Sequence, residues 1–145
     1  MKSVANSDPD STKPLSLPFE YRLTTNADKD FIDVLDYSET NFGSAAASRY
    51  EILILEAIKY VTKYPLGIGT KDKPEAGVGS RYFHLRGARD LVLPPRNRVQ
   101  NPSHFLLYRI EGNIVAIGRI LHEAELPERH ISEETWRLDD RDSIN

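Results

Sequence analysis

The residues of this 145-residue sequence that could do acid–base or phosphate chemistry are its histidines and arginines. The four histidines share no metal-ligand spacing, and the sequence has no cysteine, so we expect no metal ion, no cofactor and no thiolate nucleophile. The serines lack the G-x-S-x-G context of a hydrolase, and the glycine-rich stretches lack the setting and the lysine of a phosphate loop. The histidines are His84, His104, His122 and His130.

The segment 119–131 is the most specific part of the sequence. It reads Arg-Ile-Leu-His, then Pro-Glu-Arg-His-Ile from residue 127, and so places a strand end, a histidine and the basic start of a short helix together. Polar groups at a strand end are suited to a site, because the scaffold holds them where ligand can reach them. The alternative is a structural network in which Arg119 and His122 pair with the glutamates at 123, 125 or 128.

Positive charge is concentrated before this segment, although the net charge is −3 and gives no argument for nucleic acid as a partner. Between residues 79 and 119 the only acidic residues are Asp90 and Glu111, whereas residues 123–142 are strongly acidic. Such blocks are usually solvated faces, and a contact surface for a polyanion or an acidic protein segment is the alternative. The arginines of the positive block are Arg81, Arg86, Arg89, Arg96, Arg98, Arg109 and Arg119.

Two amphipathic helices are predicted ahead of the positive block. Thr25 and Asp28 have the spacing of a capping box at the start of the first helix, and Gly43 ends it. Residues 44–64 carry a second apolar helical stripe, which includes Tyr50, and Pro65 ends the helix. Because only one or two residues separate the helices, they should form an antiparallel hairpin. The apolar stripe of the first helix is Ala27, Phe31, Leu35, Ser38 and Phe42, and its solvated side carries Asp30, Asp33, Asp36 and Glu39.

Strands are predicted on both sides of the helices, which gives an α+β fold with a mostly antiparallel sheet. The order is an N-terminal strand, the two-helix hairpin, a three-stranded antiparallel sheet and a short C-terminal helix from Pro127. A tight turn at 111–113 joins the last two strands, and His84 and His104 should pair across neighbouring strands. Residues 65–79 are predicted as a loop and residues 87–103 as an arginine-bearing insertion. The strands are 19–23, 80–86, 104–110 and 113–121.

The sequence predicts one domain, residues 19–131, between two tails. Residues 1–18 are polar and proline-rich and should form a disordered leader. Residues 132–145 form an acidic tail that holds the only tryptophan, Trp136, which either packs back on the domain or meets a partner. Without an apolar run of membrane-spanning length, a secretory signal or cysteines, we expect a soluble cytoplasmic protein with no membrane contact.

Taken in order, several motifs resemble the ParE toxins of the RelE/ParE superfamily. They are the two runs of segment 119–131, the hairpin 108–114, the stretch 64–67 after the second helix, and the early Tyr37, Phe42-Gly43 and Arg49-Tyr50. The resemblance covers residues 19–131 and implies a two-helix hairpin on a curved antiparallel sheet. It also implies a growth-arresting, plasmid-stabilising toxin of a type II toxin–antitoxin system, neutralised by a ParD-like antitoxin whose C-terminal segment wraps it.

The target implied by the resemblance is DNA gyrase, inhibited by binding rather than by catalysis, with no sequence-specific contact to nucleic acid. The antitoxin is then expected to cover the basic sheet with an acidic or amphipathic segment. The insertion 87–103 is longer than the family leads us to expect, and is either a further contact or a mobile loop with solvated arginines. Candidate contact residues are Arg86, Arg89, Arg96, Arg98, Arg109, Arg119, His122 and Arg129.

A RelE-type, ribosome-dependent mRNA endonuclease is the enzymatic alternative. It would use positive charge at the scissile phosphate and a C-terminal acid or base, here Arg81, Arg86, Arg119 and His130. Against it, no lysine follows Lys73, Phe105 stands where those nucleases carry an arginine, and Glu123 follows the last strand where they carry basic residues. An inactive relative kept as a binding module is the third hypothesis.

Overall fold

The computed structural model describes residues 19–138, so the predicted leader 1–18 and the last seven residues of the predicted tail lie outside the described residues. The described chain is α+β, with one strand, a helix pair and then four strands joined by 3₁₀ turns. The elements are β1 (Glu20–Leu23), α1 (Thr25–Phe42), α2 (Ser44–Lys63), β2 (Thr70–Asp72), β3 (Arg81–His84), β4 (His104–Glu111) and β5 (Ile114–His122).

The first helix begins one residue earlier than the sequence predicts. Its N-cap is Thr24, whose hydroxyl accepts a hydrogen bond from the amide of Ala27 at 3.1 Å and donates one to the carbonyl of Gly118 at 2.8 Å. Thr25 was the wrong threonine because only Thr24 faces the sheet, where its hydroxyl caps the helix and ties it to β5 at once. Gly43 ends α1 with a φ of +96°, as predicted.

The two helices form the predicted hairpin, and α2 carries most of its buried surface. Five α2 side chains at helical spacing are fully buried, whereas α1 has only Ala27 and Ser38 in that class. Phe42 is 71% exposed, so its assignment to the buried stripe is wrong. It lies one residue before Gly43, at the tip of the hairpin, where its ring faces a groove instead of the core. The buried α2 residues are Leu53, Ile54, Ala57, Ile58 and Val61.

The sheet has five strands in the order β1-β5-β4-β3-β2, where the sequence predicted four. The strand within the predicted loop is β2, whose three polar residues Thr-Lys-Asp carry no apolar alternation. β1 pairs with β5 in parallel and the other pairs are antiparallel, so β4 and β5 lie inside the sheet. β3 stops at His84, because the chain turns there into a 3₁₀ segment, Leu85–Leu91, which packs on α2.

Both faces of the sheet are covered, and we call them the helix face and the second face. On the helix face, Leu106, Tyr108 and Ile117 pack with the two helices and with the 3₁₀ segment Leu85–Leu91 in one buried cluster. On the second face, a smaller cluster is covered by residues from short 3₁₀ turns, chiefly Ala76 and Trp136. The side chains of the second-face cluster are Phe105, Leu107, Ala116, Leu121, Ala76 and Trp136.

The C-terminal segment 126–138 packs back on the domain through Trp136, the first of the two alternatives that the sequence left open. A 3₁₀ turn from Pro127 to Arg129 replaces the predicted short helix, and a second turn, Glu133–Trp136, carries the tryptophan. Trp136 lies against Gly118, where an added Cβ would stand 2.5 Å from Cζ3 of the ring. No helix within residues 19–138 is long and apolar enough to cross a membrane.

Candidate functional site

Arg119 is a structural clamp on the last strand. Its guanidinium donates to both carboxylate oxygens of Asp30 on α1, Nε to Oδ2 at 2.7 Å and Nη2 to Oδ1 at 3.0 Å. Nη1 donates to the carbonyl of His130 at 2.9 Å, and Asp30 also accepts from the amide of Ile120. The hydrogen bonds that Arg119 donates to Asp30 raise the pKa of Arg119 above its usual value. The pair joins α1, β5 and the C-terminal segment, and the partner differs from the glutamates weighed in the sequence.

Arg81 and Arg109 are likewise held by the protein itself. Arg81 forms an ion pair with Asp72 and donates to the carbonyl of Pro65 and to the hydroxyl of Thr70, so it fixes the edge strand β2. The guanidinium of Arg109 lies over the ring of Trp136, with Cζ 4.5 Å from the ring centroid. Its Nε is buried without a hydrogen-bond partner among the described residues. Both charges therefore act mainly within the fold.

The arginines of the insertion 87–103 divide into two groups. Arg98 donates to the carbonyls of Val92 and Asp90, and Arg89 donates to the carbonyl of Gln100, so these two hold the insertion in shape. Arg96 is exposed. Within residues 19–138 its guanidinium has no hydrogen bond or ion pair, and the same is true of Arg86 and Arg129, which are exposed as well. These three are the contact candidates whose charge is available to a partner.

The structure does not bring the nuclease set together. Arg81 lies on β3, and its guanidinium is bound by Asp72 and Thr70 of β2, whereas Arg119 lies on β5, and its guanidinium is bound by Asp30 of α1 and by the carbonyl of His130. β4 lies between these two strands, and each guanidinium is held by a carboxylate of a different element. His130 has its Nε2 3.4 Å from the carboxylate of Glu125. The four residues thus form no single phosphate site.

The histidines gather where β4 begins and β5 ends. The hydroxyl of Tyr50 accepts from the amide of Ser103 at 3.1 Å and lies 2.7 Å from Nδ1 of His104. The hydroxyl therefore links the backbone amide of Ser103 to the imidazole of His104. The His122 ring contacts His104 edge-on, with the centroids 5.3 Å apart. Desolvation by burial, with the neighbouring His122 as a further cause, lowers the pKa of His104 to about 4.

The sequence predicted that His84 and His104 pair across neighbouring strands. This prediction is wrong, because the register partner of His84 on β4 is Phe105. Its Nδ1 accepts from the amide of Arg86, so Nε2 carries a proton and donates to Oε1 of Glu123 at 2.8 Å. That hydrogen bond lowers the pKa of the Glu123 carboxyl. His104 faces His122 instead, its register partner on β5. His84 and His122 accept backbone amide protons on Nδ1, and His104 bonds to the hydroxyl of Tyr50, so the three imidazoles order the end of the sheet.

Two grooves flank the turn that follows β5. One, of about 480 Å³, opens between the tip of the helical hairpin and the ends of β4 and β5, and we call it the hairpin groove. The other, of about 330 Å³, lies on the second face between β2 and the C-terminal segment and has lysine and carboxylate side chains around it. Glu125 lines both. The apolar and aromatic wall of the hairpin groove is Val34, Tyr37, Phe42, His104, Ile120 and His122.

Sequence patterns found the site's histidines but missed the residues that hold them. Asp30 was assigned to the solvated side of α1, yet its side chain is only 13% exposed. Tyr50 was assigned to the core stripe of α2, and its hydroxyl organises Ser103 and His104. A carboxylate one turn into an acidic helix carries no local signal of a partner 89 residues away. Tyrosine instead of phenylalanine on a buried stripe is a signal, since a buried hydroxyl needs a partner.

Comparison with known proteins identifies the family. A model described as the ParE toxin of type II toxin–antitoxin systems, parDE, matches residues 21–127. A solved structure titled as a chromosomal ParDE toxin–antitoxin system from P. aeruginosa aligns with a TM-score of 0.54 at 18% identity, covering 72% of this chain and 96% of that one. At this identity the alignment bears on the fold. No curated protein sequence matches the chain.

Proposed function

The chain belongs to the ParE toxin family of type II toxin–antitoxin systems, and from this premise we propose that it inhibits DNA gyrase by binding and is neutralised by a ParD-like antitoxin. The inhibition is non-enzymatic and takes place in the cytoplasm. The pairing of the arginines is the observation that carries the proposal: Arg81 and Arg119, which a nuclease would aim at a phosphate, are bound instead to the carboxylates of Asp72 and Asp30.

The residue chemistry also favours binding over cleavage. A general acid or base must stand within hydrogen-bond reach of the reacting group, and a cation must stabilise the charge that develops on the phosphate. In the hairpin groove, which His104 and His122 line, the charged side chains are the carboxylates of Asp30, Asp33 and Glu125, which repel a phosphate. A contact surface needs no such convergence. The free guanidinium groups of Arg86, Arg96 and Arg129 supply positive charge for a protein target.

Inducible expression in a bacterial host that lacks the antitoxin tests the proposal. Growth, cell shape, the DNA-damage response and total translation are followed together. We expect filamentous cells with an induced damage response while early translation continues. Prompt arrest of translation with new 5′ ends in ribosome-bound message would instead assign the chain to the nucleases, and His130→Ala would then abolish its toxicity. Uninhibited growth would assign it to the inactive binding modules.

A reconstituted reaction separates the target from indirect effects. Purified chain is added to gyrase, ATP and relaxed plasmid, and supercoiling is followed on gels. We expect inhibition by the wild-type chain, with a several-fold higher half-inhibitory concentration for the triple variant Arg86→Gln, Arg96→Gln, Arg129→Gln, because rim charges chiefly affect association. The matched control is Lys29→Gln, Lys59→Gln, which removes exposed lysines of the helices. Undiminished supercoiling with the wild-type chain would exclude gyrase.

A further inference from the structure

The hairpin groove presents two neighbouring aromatic rings to solvent. Tyr37 and Phe42 are 63% and 71% exposed, and their ring centroids are 6.4 Å apart. Val34 and Ile120 continue the apolar wall toward the sheet. Single exposed apolar residues are ordinary, but adjoining aromatics above a groove are typical of the anchors of a protein interface. The groove therefore presents an apolar binding surface at the tip of the helical hairpin.

The same groove is negatively charged. Its charged lining side chains are carboxylates, those of Asp30, Asp33 and Glu125, and no lysine or arginine of residues 19–138 lines it. Asp30 is neutralised by Arg119, but Asp33 is 59% exposed and has only the solvated Lys29 as an ion-pair partner, a contact that screens little. His104 adds no compensating charge, since its lowered pKa of about 4 keeps it neutral near pH 7.

We propose that the hairpin groove receives a segment of the antitoxin in which an apolar side chain is flanked by arginine or lysine. The inference rests on the proposed function, because it requires that an antitoxin binds this chain. It differs from the acidic segment on a basic sheet that the sequence led us to expect. Most sheet arginines have internal partners, whereas the groove combines exposed aromatic rings with the carboxylates of Asp33 and Glu125, which are paired only with the solvated Lys29 and with His130. A basic apolar segment complements both features.

The charge of the groove also distinguishes an antitoxin from a second copy of this chain. In a two-fold symmetric dimer the groove would face the groove of the partner copy, since such an interface uses the same patch twice. Asp33 and Glu125 would then oppose like charges, and the exposed Asp36 and Glu39 of α1 add to them. Like charges across an interface cost affinity. A basic partner meets no such penalty.

The first test removes the two aromatic rings of the groove. The probe is the protein encoded by the reading frame that adjoins the gene of this chain, and its affinity is measured by calorimetry. The double variant Tyr37→Ser, Phe42→Ser should bind at least ~10-fold more weakly, and co-expression of the adjoining protein should no longer restore growth. Toxicity of the variant alone should stay unchanged. The control Leu66→Ser, Ile68→Ser changes side chains that are 69% and 91% exposed outside the groove and should bind like the wild type.

The second test reverses a charge at the rim. Asp33→Lys should weaken binding of the same protein about 5-fold at low salt and less at high salt, because a rim charge acts through a screened field. Glu51→Lys on the exposed side of α2 is the matched control. Tighter binding by Asp33→Lys would show an acidic segment in the groove and overturn the proposal.

The outcomes separate this inference from the proposed function. If the wild-type chain does not bind the adjoining protein, the antitoxin proposal fails and the groove proposal fails with it. If the wild type and the serine double variant bind equally well, only the groove proposal fails. A wild-type dimer that the double variant dissolves would assign the groove to a second copy. An affinity that rises when residues 1–18 are deleted would assign it to that segment, and either result overturns the proposal.

Discussion

The two faces of the sheet are closed in different ways. On the helix face, two helices of 18 and 20 residues and a 3₁₀ segment bury a cluster that runs through α2 and the central strands. On the second face, a few residues from 3₁₀ turns of three and four residues cover Phe105, Leu107 and Leu121. The first cover is regular and is fixed by many backbone hydrogen bonds. The second depends on single side chains, above all Trp136.

The difference predicts that the two faces contribute differently to the stability of the fold. A cover built from helices resists local collapse, so a lost side chain leaves a cavity behind it. A cover built from short turns can settle toward the sheet, because few contacts hold its backbone. We therefore expect the free energy of unfolding to respond unequally to matched changes on the two faces.

The largest expected effect compares two neighbouring leucines of β4. Leu106 points to the helix face and Leu107 to the second face, and both are fully buried. Leu106→Ala should lower the free energy of unfolding by about 4 kcal/mol and Leu107→Ala by about 2–3 kcal/mol, since only the turn cover can relax into the cavity. Urea unfolding followed by circular dichroism measures both. Equal losses would remove the distinction between the faces.

The next effect concerns the tryptophan of the second face. Trp136→Ala removes the ring that fills the notch at Gly118 and lies beneath Arg109, and should cost about 2–3 kcal/mol. Gly118→Ala alone should cost a comparable amount, because the new Cβ would collide with the ring. In the Trp136→Ala background, the Gly118 change should cost almost nothing. Additive losses in this double-mutant cycle would show that the Trp136 ring does not fill the space next to Gly118.

A smaller loss of stability is expected at the Asp30–Arg119 pair, which links α1 on the helix face to the C-terminal segment on the second face. Asp30→Asn leaves the shape of the Arg119 clamp but removes its charge, and should cost about 1–2 kcal/mol. Hydrogen exchange should accelerate both in the first turns of α1 and in residues 126–136, because Arg119 also holds the carbonyl of His130. Asp33→Asn, an exposed partner of Lys29, is the control and should change stability by less than about 0.5 kcal/mol. Faster exchange in α1 alone would contradict a shared clamp.

The smallest effect is a dependence on pH from His104. Its pKa is about 4 in the folded protein and near the usual ~6.5 in the unfolded chain, so below pH ~6.5 only the unfolded chain takes up the proton. Stability should fall as the pH drops, by about 1 kcal/mol from this group between pH 6.5 and 5.5, and level off below pH 4. His104→Gln should flatten that part of the curve. An unchanged slope in His104→Gln would exclude this origin.

Regular elements were predictable from the sequence because each has a local pattern. The helix pair and its Gly43 break follow from spacings of three and four residues, and the last two strands follow from apolar runs joined by a tight turn; the structure confirms them. The start of α1 was misplaced by one residue, since Thr24 and Thr25 are locally equivalent and only the contact with Gly118 separates them. The edge strand β2 has three polar residues and owes its place to pairing with β3 and to Arg81.

The candidate site was predictable by residue type but not by partner. The positive block and the histidines at the strand ends were evident, yet which arginines remain free depends on carboxylates far along the chain, such as Asp30. Phe42 fits the helical stripe of α1 and is exposed, because that stripe extends beyond the part of the helix that the sheet covers. The hairpin groove is therefore a product of tertiary structure. Its sequence signal is an aromatic residue directly before a helix-ending glycine.

The position of the one tryptophan has a spectroscopic consequence. Since Trp136 is the only indole in the chain and lies on the second face, intrinsic indole fluorescence reports on that face alone. Far-ultraviolet circular dichroism is dominated by α1 and α2 and reports on the helix face. A chain in which the turn cover opens first will show a fluorescence transition ahead of the dichroic one. The two signals together are thus a built-in measure of whether the domain unfolds as one cooperative unit.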